Sequence, residues 1–406
     1  MKRLRLLILS SSYPRWANDH EPSFVHELAR RLIDRFEVKV IAPHAKGALA
    51  EESLDGVVVR RFRYAPENLE ILVNDGGIIN NLRRSIWKWL LVPLFLIAQT
   101  WTICRTIHKW RPNIIHAHWL IPQGLIMALL SLTARDMPPY LVTSHGADLH
   151  ALKFWPLPAL KRFVVRRAAA VTVVSSSMLD AMKAQGIPVE GVRVEPMGVD
   201  LEDRFTPDES VARSCNEILF VGRLVEKKGL RYLIEAMPDI LRKNPDAQLT
   251  VAGFGPEESE LRRVANGLSI AEKINFLGAV PQERLPTLYR RAAVFVAPFI
   301  EAVGGDQEGL GLVTIEAIGC NCPVVISDLP AVRDVVDNKD LRTKPSDTKQ
   351  LANKVTTVLS LCPDARNSLT RDLRKNASRK FNWEQRGKAY RRLLNALLKQ
   401  SVKGPT

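Results

Sequence analysis

The chain has 406 residues, 46% of them hydrophobic and 25% charged, which is longer than one hydrophobic core usually requires and predicts two globular domains. Its net charge of +15 indicates an anionic partner: a phosphorylated substrate, an acidic membrane surface or nucleic acid. The five cysteines are scattered and form no C-x-x-C pair, so the pattern of a disulfide framework or a zinc site is excluded and a cytoplasmic location is favoured.

Strand-like and helical segments alternate through the first half of the chain. The opening apolar run, Leu4 to Leu9, is interrupted by Arg5 and is too short for a signal peptide, so it predicts a first strand. In FVHELARRLIDRF, residues 24–36, apolar side chains recur at every fourth position, which predicts a helix. The other predicted strands are VKVIAP, NIIHAH, YLVTSH and AVTVVSSS. This alternation predicts a doubly wound parallel sheet.

The polar, aperiodic stretch VDLEDRFTPDESVARSCNE, residues 199–217, is the predicted linker. Alternation then restarts with EILFVGR, AQLTVAGFG, KINFLGAV, AVFVAPF and CPVVISD, which predicts a second Rossmann-like domain facing the first across a ligand-binding cleft. The predicted domains are residues 1–200 and 201–381. The last segment, 382–406, is predicted to be a basic amphipathic helix whose apolar face carries Tyr390, Leu393, Leu394 and Leu397.

The stretch EGLGLVTIE, residues 308–316, follows a predicted strand and a glycine-containing loop. A helix is predicted from about Leu310 to Cys320, and its first N–H groups are a suitable binding site for phosphate. Gly309 and Gly311 would let the backbone approach a ligand closely. Glu308 and Glu316 could accept hydrogen bonds from the hydroxyl groups of a sugar or a ribose. The alternative interpretation is a buried amphipathic helix with a charged residue at each end.

Two further loops carry candidate ligand-binding side chains. In GRLVEKKG, Arg223 and Lys228 follow a predicted strand and could neutralise a pyrophosphate leaving group, whereas Glu226 and Lys227 are interpreted as a solvated charge run. In TSHGADLH, His145 lies just after a predicted strand, and a structural role competes with a role in the site.

These stretches resemble retaining glycosyltransferases of family 4, which have the GT-B fold and an E-x7-E signature. The resemblance runs in family order through TSHGAD, VEPMGVD, GRLVEKKG, VAGFGPEESELRRV, FLGAVPQERLPTLYRRA, EGLGLVTIEA and FNWEQRGKAY, and so covers nearly the whole chain. It implies transfer of a sugar from a nucleotide-sugar donor, such as a UDP- or GDP-sugar, to a hydroxyl of a saccharide or lipid-linked acceptor. It also implies that the final helix crosses back onto the first domain.

The resemblance implies roles at matching positions. Glu308 and His145 would be catalytic residues facing the donor sugar, and Glu316 would hold the ribose. The donor diphosphate would be bound by Arg223, Lys228 and the backbone of Gly309, Leu310 and Gly311. The chain has no D-x-D triplet, so no metal is expected, and no cofactor is expected beyond the nucleotide sugar itself. Whether Glu308 acts as a nucleophile or as an electrostatic stabiliser is left open.

The first loop after a strand departs from the family pattern. Family members often carry a glycine pair there, whereas SSSYPRWANDHEPSF, residues 10–24, has no glycine. The loop is interpreted either as an acceptor site particular to this chain or as a well-packed loop. The candidate acceptor-binding residues are Tyr13, Arg15, Trp16, Asn18, Asp19 and His20.

An apolar block with tryptophans and cations at both ends spans residues 83–112. Its uncharged run of 16 residues, Trp89 to Cys104, is shorter than a membrane span and contains Pro93, so it is not predicted to cross a membrane. It is interpreted either as a helix lying on an anionic membrane, which predicts peripheral association with the inner face of the cell membrane, or as a buried helix with basic ends.

Other functions fit the sequence less well. A nucleotide-sugar epimerase with the same fold is the main alternative, but the E-x7-E pattern argues against it. A Rossmann dehydrogenase would require a G-x-G-x-x-G after the first strand, which is absent. The interpretation as a binding protein without enzymatic activity, for example one that binds nucleic acid, is supported by the positive charge alone. No nucleic-acid partner is therefore predicted.

Overall fold

The computed structural model describes residues 3–17, 19, 21, 23–74, 77–133, 136–152 and 154–402. The chain divides into two compact units. The first comprises the chain up to Met197 together with the segment from Arg386 onward, and the second comprises Gly198–Gln385.

The first unit is an eight-stranded sheet with helices on its faces. Its strands are β1 (Leu4–Leu9), β2 (Phe36–Pro43), β3 (Glu51–Leu54), β4 (Val57–Phe62), β5 (Ile114–His118), β6 (Tyr140–Ser144), β7 (Ala170–Val173) and β8 (Arg193–Val194). Its helices are α1 (Phe24–Arg30), α2 (Ile78–Arg84), α3 (Leu91–Trp110), α4 (Leu125–Thr133), α5 (Ala147–His150), α6 (Leu157–Arg167) and α7 (Ser176–Ala184). The sheet order is β3-β4-β2-β1-β5-β6-β7-β8, and all neighbours are parallel except β3 and β4.

The second unit repeats this architecture with six parallel strands. They are β9 (Glu217–Val221), β10 (Gln248–Ala252), β11 (Ile274–Gly278), β12 (Val294–Ala297), β13 (Val324–Ser327) and β14 (Arg342–Thr343). The helices are α8 (Leu230–Lys243), α9 (Glu258–Gly267), α10 (Leu285–Arg291), α11 (Leu312–Gly319), α12 (Pro330–Arg333), α13 (Thr348–Leu359) and α14 (Pro363–Phe381), and α15 (Trp383–Val402) follows.

The strand order in the second unit is β11-β10-β9-β12-β13-β14. The direction of winding therefore reverses between β9 and β12, which pair in parallel through Ile218 with Val294 and Leu219 with Phe295. In open α/β sheets, ligands bind beyond the carboxyl ends of the strands at such a reversal. A ligand-binding site is therefore expected at the loops that follow β9 and β12.

The structure confirms every strand predicted from the sequence and adds four. The added strands are β3 and β4, which pair in antiparallel fashion, and the two-residue strands β8 and β14. The predicted helix at residues 24–36 ends earlier, at Arg30, because β2 already begins at Phe36. The stretch predicted as a linker lies in the second unit from Gly198 onward, and its apolar side chains Leu201 and Phe205 are buried there.

Helix α15 begins at Trp383, and from Arg386 onward it belongs to the first unit. The apolar face predicted from the sequence is buried at Tyr390, Leu393, Leu394 and Leu397. The Tyr390 hydroxyl donates to the carbonyl of Glu195 at 2.9 Å. These contacts explain why a helix with so many basic residues has one fully apolar side.

The apolar block at residues 83–112 forms one long helical stretch, Ile86–Trp110. Among the described residues it is the one helix long and apolar enough to cross a membrane, judged by length and composition alone. Pro93 does not interrupt it, since it is the third residue of α3, where no backbone N–H has a partner within the helix. One side of α3 packs into the core through Leu91, Phe95 and Ile103.

Candidate functional site

Two loops of the second unit interlock at the point where the winding reverses. One follows β9 and runs from Gly222 to Gly229, and the other follows β12 and runs from Pro298 to Gly311. The backbone N–H of Ile300 donates to the carbonyl of Lys227 at 3.0 Å. Gly229 has a φ of +67°, and a β-carbon there would lie 1.9 Å from the carbonyl oxygen of Pro298. Only glycine permits this close approach, so the packing of the two loops requires glycine at position 229, the last residue of GRLVEKKG.

Glu226 and Lys227 both hold the second loop. Glu226 is exposed, as its interpretation as part of a solvated charge run requires, whereas that interpretation is wrong for Lys227, whose side chain is 11% exposed. The carboxylate of Glu226 accepts a hydrogen bond from the backbone N–H of Val303 at 2.9 Å. The ammonium of Lys227 lies 3.2 Å from the carboxylate of Asp306, and both side chains are largely buried. The run EKKG therefore fixes the loop that carries Glu308. These partners could not be recognised from the sequence because they are about 80 residues away.

Lys228 and Glu308 form a direct ion pair at the centre of this site. Their Nζ and Oε2 atoms are 2.7 Å apart, and both side chains are mostly buried. The ammonium also lies 4.7 Å from the centre of the Phe299 ring, within the range of a cation–π contact. Burial raises the pKa of the Glu308 carboxyl, but the charges of Lys228, Lys227 and Arg223 outweigh it and lower the pKa to about 2. Glu308 is therefore a carboxylate at neutral pH.

Glu316 has the opposite electrostatic environment. Its side chain is buried on α11, and its carboxylate accepts a hydrogen bond from the hydroxyl of Tyr289 at 3.0 Å. Burial raises the pKa of Glu316 to about 7, against the hydrogen bond from Tyr289 and the charges of Arg204 and Lys228. The two carboxyl groups of the E-x7-E stretch thus differ in charge near neutral pH: Glu308 is ionised and Glu316 is about half protonated.

The helix predicted after Glu308 begins at Leu312, two residues later than expected, and ends at Gly319. Gly311 has a left-handed φ of +81°, and a β-carbon there would lie 3.1 Å from Val332 and 3.2 Å from Phe299. This glycine is therefore required by packing within the chain. Gly309, Leu310 and Gly311 are all buried, and their contact with the donor diphosphate stays a prediction.

His145 lies at the end of β6 in the first unit, as predicted, in a cluster of aromatic rings. Its Nε2 is 2.8 Å from Nδ1 of His118, and the two rings are stacked with centroids 5.1 Å apart. Phe24 and Trp119 lie 4.8 and 5.1 Å from its ring centre. Burial, aided by the nearby His116, lowers the pKa of His145 to about 3, so the ring is neutral. Sequence reasoning missed His118 and His116, although HAH at the end of a strand repeats the His145 pattern.

The glycine-free first loop is partly packed against its own chain. The hydroxyl of Tyr13 is buried and lies 2.6 Å from Nδ1 of His26. Arg15 forms a two-pronged pair with Asp19, at 2.7 and 2.9 Å, and lies over the ring of Trp16, which is exposed. Of the candidate acceptor residues, Asn18 and His20 lie outside the described residues.

The outward face of the helical stretch Ile86–Trp110 is apolar and exposed. Ile97 is 67% exposed and Trp101 is 59% exposed, and the same face continues through Ile86, Trp87, Leu90 and Leu94. Exposed cations stand at both ends, at Arg83, Arg84, Arg105 and Lys109. Trp110 differs from the other tryptophans, since its indole N–H donates to Glu37 at 3.1 Å.

Among the described residues, no group of three or more His, Cys, Asp or Glu side chains is arranged to hold a metal ion.

Comparisons with known proteins identify the family of both units. Residues 23–203 match the family "Glycosyltransferase Family 4", and residues 205–380 match "Glycosyl transferases group 1". A GDP-mannose-dependent alpha-(1-6)-phosphatidylinositol monomannoside mannosyltransferase from Mycolicibacterium smegmatis is 30% identical over 318 residues, 75% of each chain. A glycogen synthase from Mycobacterium tuberculosis is 28% identical over 290 residues, 69% of this chain and 67% of that protein.

Solved structures resemble the chain over nearly its full length. A sucrose-phosphate synthase from Thermosynechococcus elongatus superimposes with a TM-score of 0.77 at 21% identity, over 97% of this chain and 100% of that one. HepE from Anabaena, solved with UDP and glucose, gives 0.73 at 18% identity with the same coverage. These likenesses confirm the predicted GT-B fold of two Rossmann-like α/β domains. The domain limits at residues 200 and 381, and the cleft, stay predictions. The chain belongs to glycosyltransferase family 4 and is a glycosyltransferase.

Proposed function

We propose that the chain transfers a hexosyl group from a UDP- or GDP-sugar to a hydroxyl of a saccharide or lipid-linked acceptor, with retention of configuration and without a metal ion. The observation that carries this proposal is the buried Lys228–Glu308 pair, held at the reversal of the second sheet by two interlocked loops. The product would belong to a cell-surface polysaccharide or a glycolipid. The mannosyltransferase named above supports the glycolipid and GDP-sugar variants of the proposal.

The cations of this site supply the charge that a nucleoside diphosphate leaving group requires. Lys228 is largely buried, and Arg223 is near enough to lower the pKa of Glu308 together with Lys228. A fixed cation in a water-poor site stabilises a developing negative charge far more than a cation in bulk water does. In the free enzyme, Glu308 neutralises Lys228. The diphosphate would take over that role when the donor binds, and Glu308 would then face the sugar.

Glu308 is suited to stabilise positive charge at the reacting carbon. In the free enzyme its pKa is lowered to about 2, so Glu308 is an anion at neutral pH. We propose that its charge stabilises the developing oxocarbenium character of the donor sugar. Glu316, buried at the inner end of the same segment, would accept hydrogen bonds from the ribose hydroxyls, and His145 would contact a hydroxyl of the donor sugar.

A donor screen with and without EDTA tests the proposal. We expect sugar transfer or slow donor hydrolysis with at least one UDP- or GDP-sugar, at a rate that EDTA leaves unchanged. The anomeric configuration of the product, read by NMR, should match that of the donor. Loss of activity in EDTA would contradict the metal-independent part. Interconversion of the donor with its epimer, without transfer or hydrolysis, would instead support the nucleotide-sugar epimerase.

We further propose that the outward face of Ile86–Trp110 contacts an anionic membrane. Seven large apolar side chains of Ile86–Trp110 are exposed, of which Ile86 is 86% exposed, and such a continuous patch usually marks an interaction surface. Cations at both ends complement anionic lipid headgroups, and the net charge of +15 also favours binding to an anionic surface. Since the opposite side of α3 is built into the core of the first unit, the helix would lie along the membrane surface as a peripheral anchor.

Vesicle sedimentation tests this contact. Binding to vesicles with anionic lipid should exceed binding to neutral vesicles and should weaken as salt rises. Ile97→Glu and Trp101→Glu should reduce it, whereas Leu268→Glu, which alters an exposed leucine of the second unit, should not. Equal binding to neutral and anionic vesicles, or equal loss in the Leu268 variant, would contradict the proposal.

A further inference from the structure

Three histidine rings lie in a row near the carboxyl ends of β5 and β6 in the first unit. His116 and His118, both on β5 and both fully buried, have ring centres 4.1 Å apart. The ring of His118 stacks on that of His145, which is partly exposed. A hydrogen bond of 2.8 Å joins Nδ1 of His118 to Nε2 of His145. This contact accounts for one ring nitrogen of each of these two residues.

The remaining nitrogens of His118 and His145 have different surroundings. Nε2 of His118 is buried and has no hydrogen-bond partner among the described residues. Nδ1 of His145 is not buried in this way, and no described residue bonds to it. Burial lowers the pKa of both rings far enough to keep them neutral at pH 7, so each carries one proton.

The position of each proton follows from these surroundings. If His118 carried its proton on Nε2, a buried N–H donor would lack a partner, and orphaned buried donors are rare in folded proteins. With the proton on Nδ1, His118 donates to Nε2 of His145 and leaves only a lone pair unsatisfied. Nε2 of His145 then accepts, so His145 must carry its own proton on Nδ1.

We infer that His118 is a positioning residue that fixes His145 in the Nδ1–H tautomer, so that His145 presents a hydrogen-bond donor to a hydroxyl oxygen of the sugar substrate. The inference rests on the proposed function, in which His145 contacts the donor sugar. The rings of Phe24 and Trp119 restrict the tilt of the His145 ring, and His118 determines which nitrogen carries the proton. A neutral donor can bind a hydroxyl without adding a positive charge beside a carbon that is becoming cationic.

The tautomer can be read directly by long-range ¹H–¹⁵N correlation NMR on protein labelled at its eight histidines. Signals of His118 and His145 are assigned with the variants His118→Asn and His145→Asn, and the exposed His108 gives the reference for a ring that exchanges between tautomers. We expect protonated Nδ1 and unprotonated Nε2 in both rings at pH 7. Protonated Nε2 in His145 would overturn the inference whether or not the protein transfers sugar.

A matched pair of variants tests the consequence for activity. The side-chain nitrogen of His118→Asn can replace the Nδ1–H donor, whereas the carboxylate of His118→Asp, which has the same size, can only accept. We expect His118→Asn to keep kcat/KM within about threefold of the wild type. For His118→Asp we expect kcat/KM to fall about tenfold or more, because the hydrogen bond donated to His145 is lost. His118→Leu serves if the aspartate variant does not fold. Equal activity of the asparagine and aspartate or leucine variants would contradict the inference. Absence of any transfer by the wild type would contradict the proposed function and leave the NMR result to decide the tautomer.

Discussion

Replacing Glu316 with glutamine should remove a pH-dependent destabilisation of the second unit. Burial raises the pKa of this carboxyl from 4.5 to about 7, because the charged form is disfavoured inside the fold. A carboxyl whose pKa is higher in the folded state binds protons more tightly there. Its contribution to stability is therefore fully present below pH 4.5 and is lost as the pH rises through 7.

The magnitude follows from the two pKa values. The difference between 4.5 and about 7 corresponds to about 3.4 kcal/mol, of which about 2.5 kcal/mol is lost between pH 5 and pH 8. Glutamine does not titrate, so Glu316→Gln should gain about 2.5 kcal/mol relative to the wild type over this range. For a unit of this size, that corresponds to roughly 5–10 °C in the melting temperature.

Thermal melts at pH 5 and pH 8, followed by calorimetry, measure this difference. The matched control is Glu308→Gln, the same substitution at the other end of the same segment. The pKa of Glu308 is lowered to about 2, so its stabilisation is present above pH 4.5 and is lost only under more acidic conditions. Its difference from the wild type should be constant between pH 5 and pH 8. A constant difference for Glu316→Gln as well would refute the argument that this carboxyl is half protonated at neutral pH.

Two further predictions concern the donor. Lys228→Ala and Arg223→Ala should each lower turnover by about 10²–10³ without unfolding the protein, since each removes a fixed charge beside the leaving group; near-normal turnover in steady-state assays of both would count against their assignment. Glu316→Gln should weaken binding of the nucleoside diphosphate about tenfold or more, because it loses a charged acceptor for the ribose; an unchanged dissociation constant in isothermal titration calorimetry at pH 8 would exclude that role.

The sequence predicts the fold well because buried parallel strands are nearly continuous apolar runs. VKVIAP, NIIHAH and AVFVAPF are recognisable without any knowledge of their neighbours, and all of them are strands. The edge strands β3 and β14 were not predicted because they lack such an apolar run. β3, EESL, is polar at three of its four positions, and β14 is only two residues long, so neither carries a periodic signal.

The site was predictable where a residue's position along the chain determines its surroundings. Arg223, Lys228, Glu308 and His145 follow strand ends, and their proximity to those ends follows from the alternation of strands and helices. Partners distant in sequence were not predictable: Asp306 for Lys227, Tyr289 for Glu316 and His118 for His145. The close packing of Gly311 against Val332 and Phe299 was likewise not predictable from one sequence.

The measurement that tests the central claim most directly is a comparison of Glu308→Gln with the wild type in two assays. Calorimetric titration with the nucleoside diphosphate should show binding at least as tight as that of the wild type, because under the proposal Glu308 faces the sugar, and glutamine no longer competes with the diphosphate for Lys228. Turnover with the sugar donor should fall by about 10²-fold or more, because the charge of Glu308 matters as the transition state forms. Turnover close to that of the wild type, or loss of thermal stability as the variant's main effect, would show that the pair of Glu308 with Lys228 holds the loop and takes no part in the chemistry.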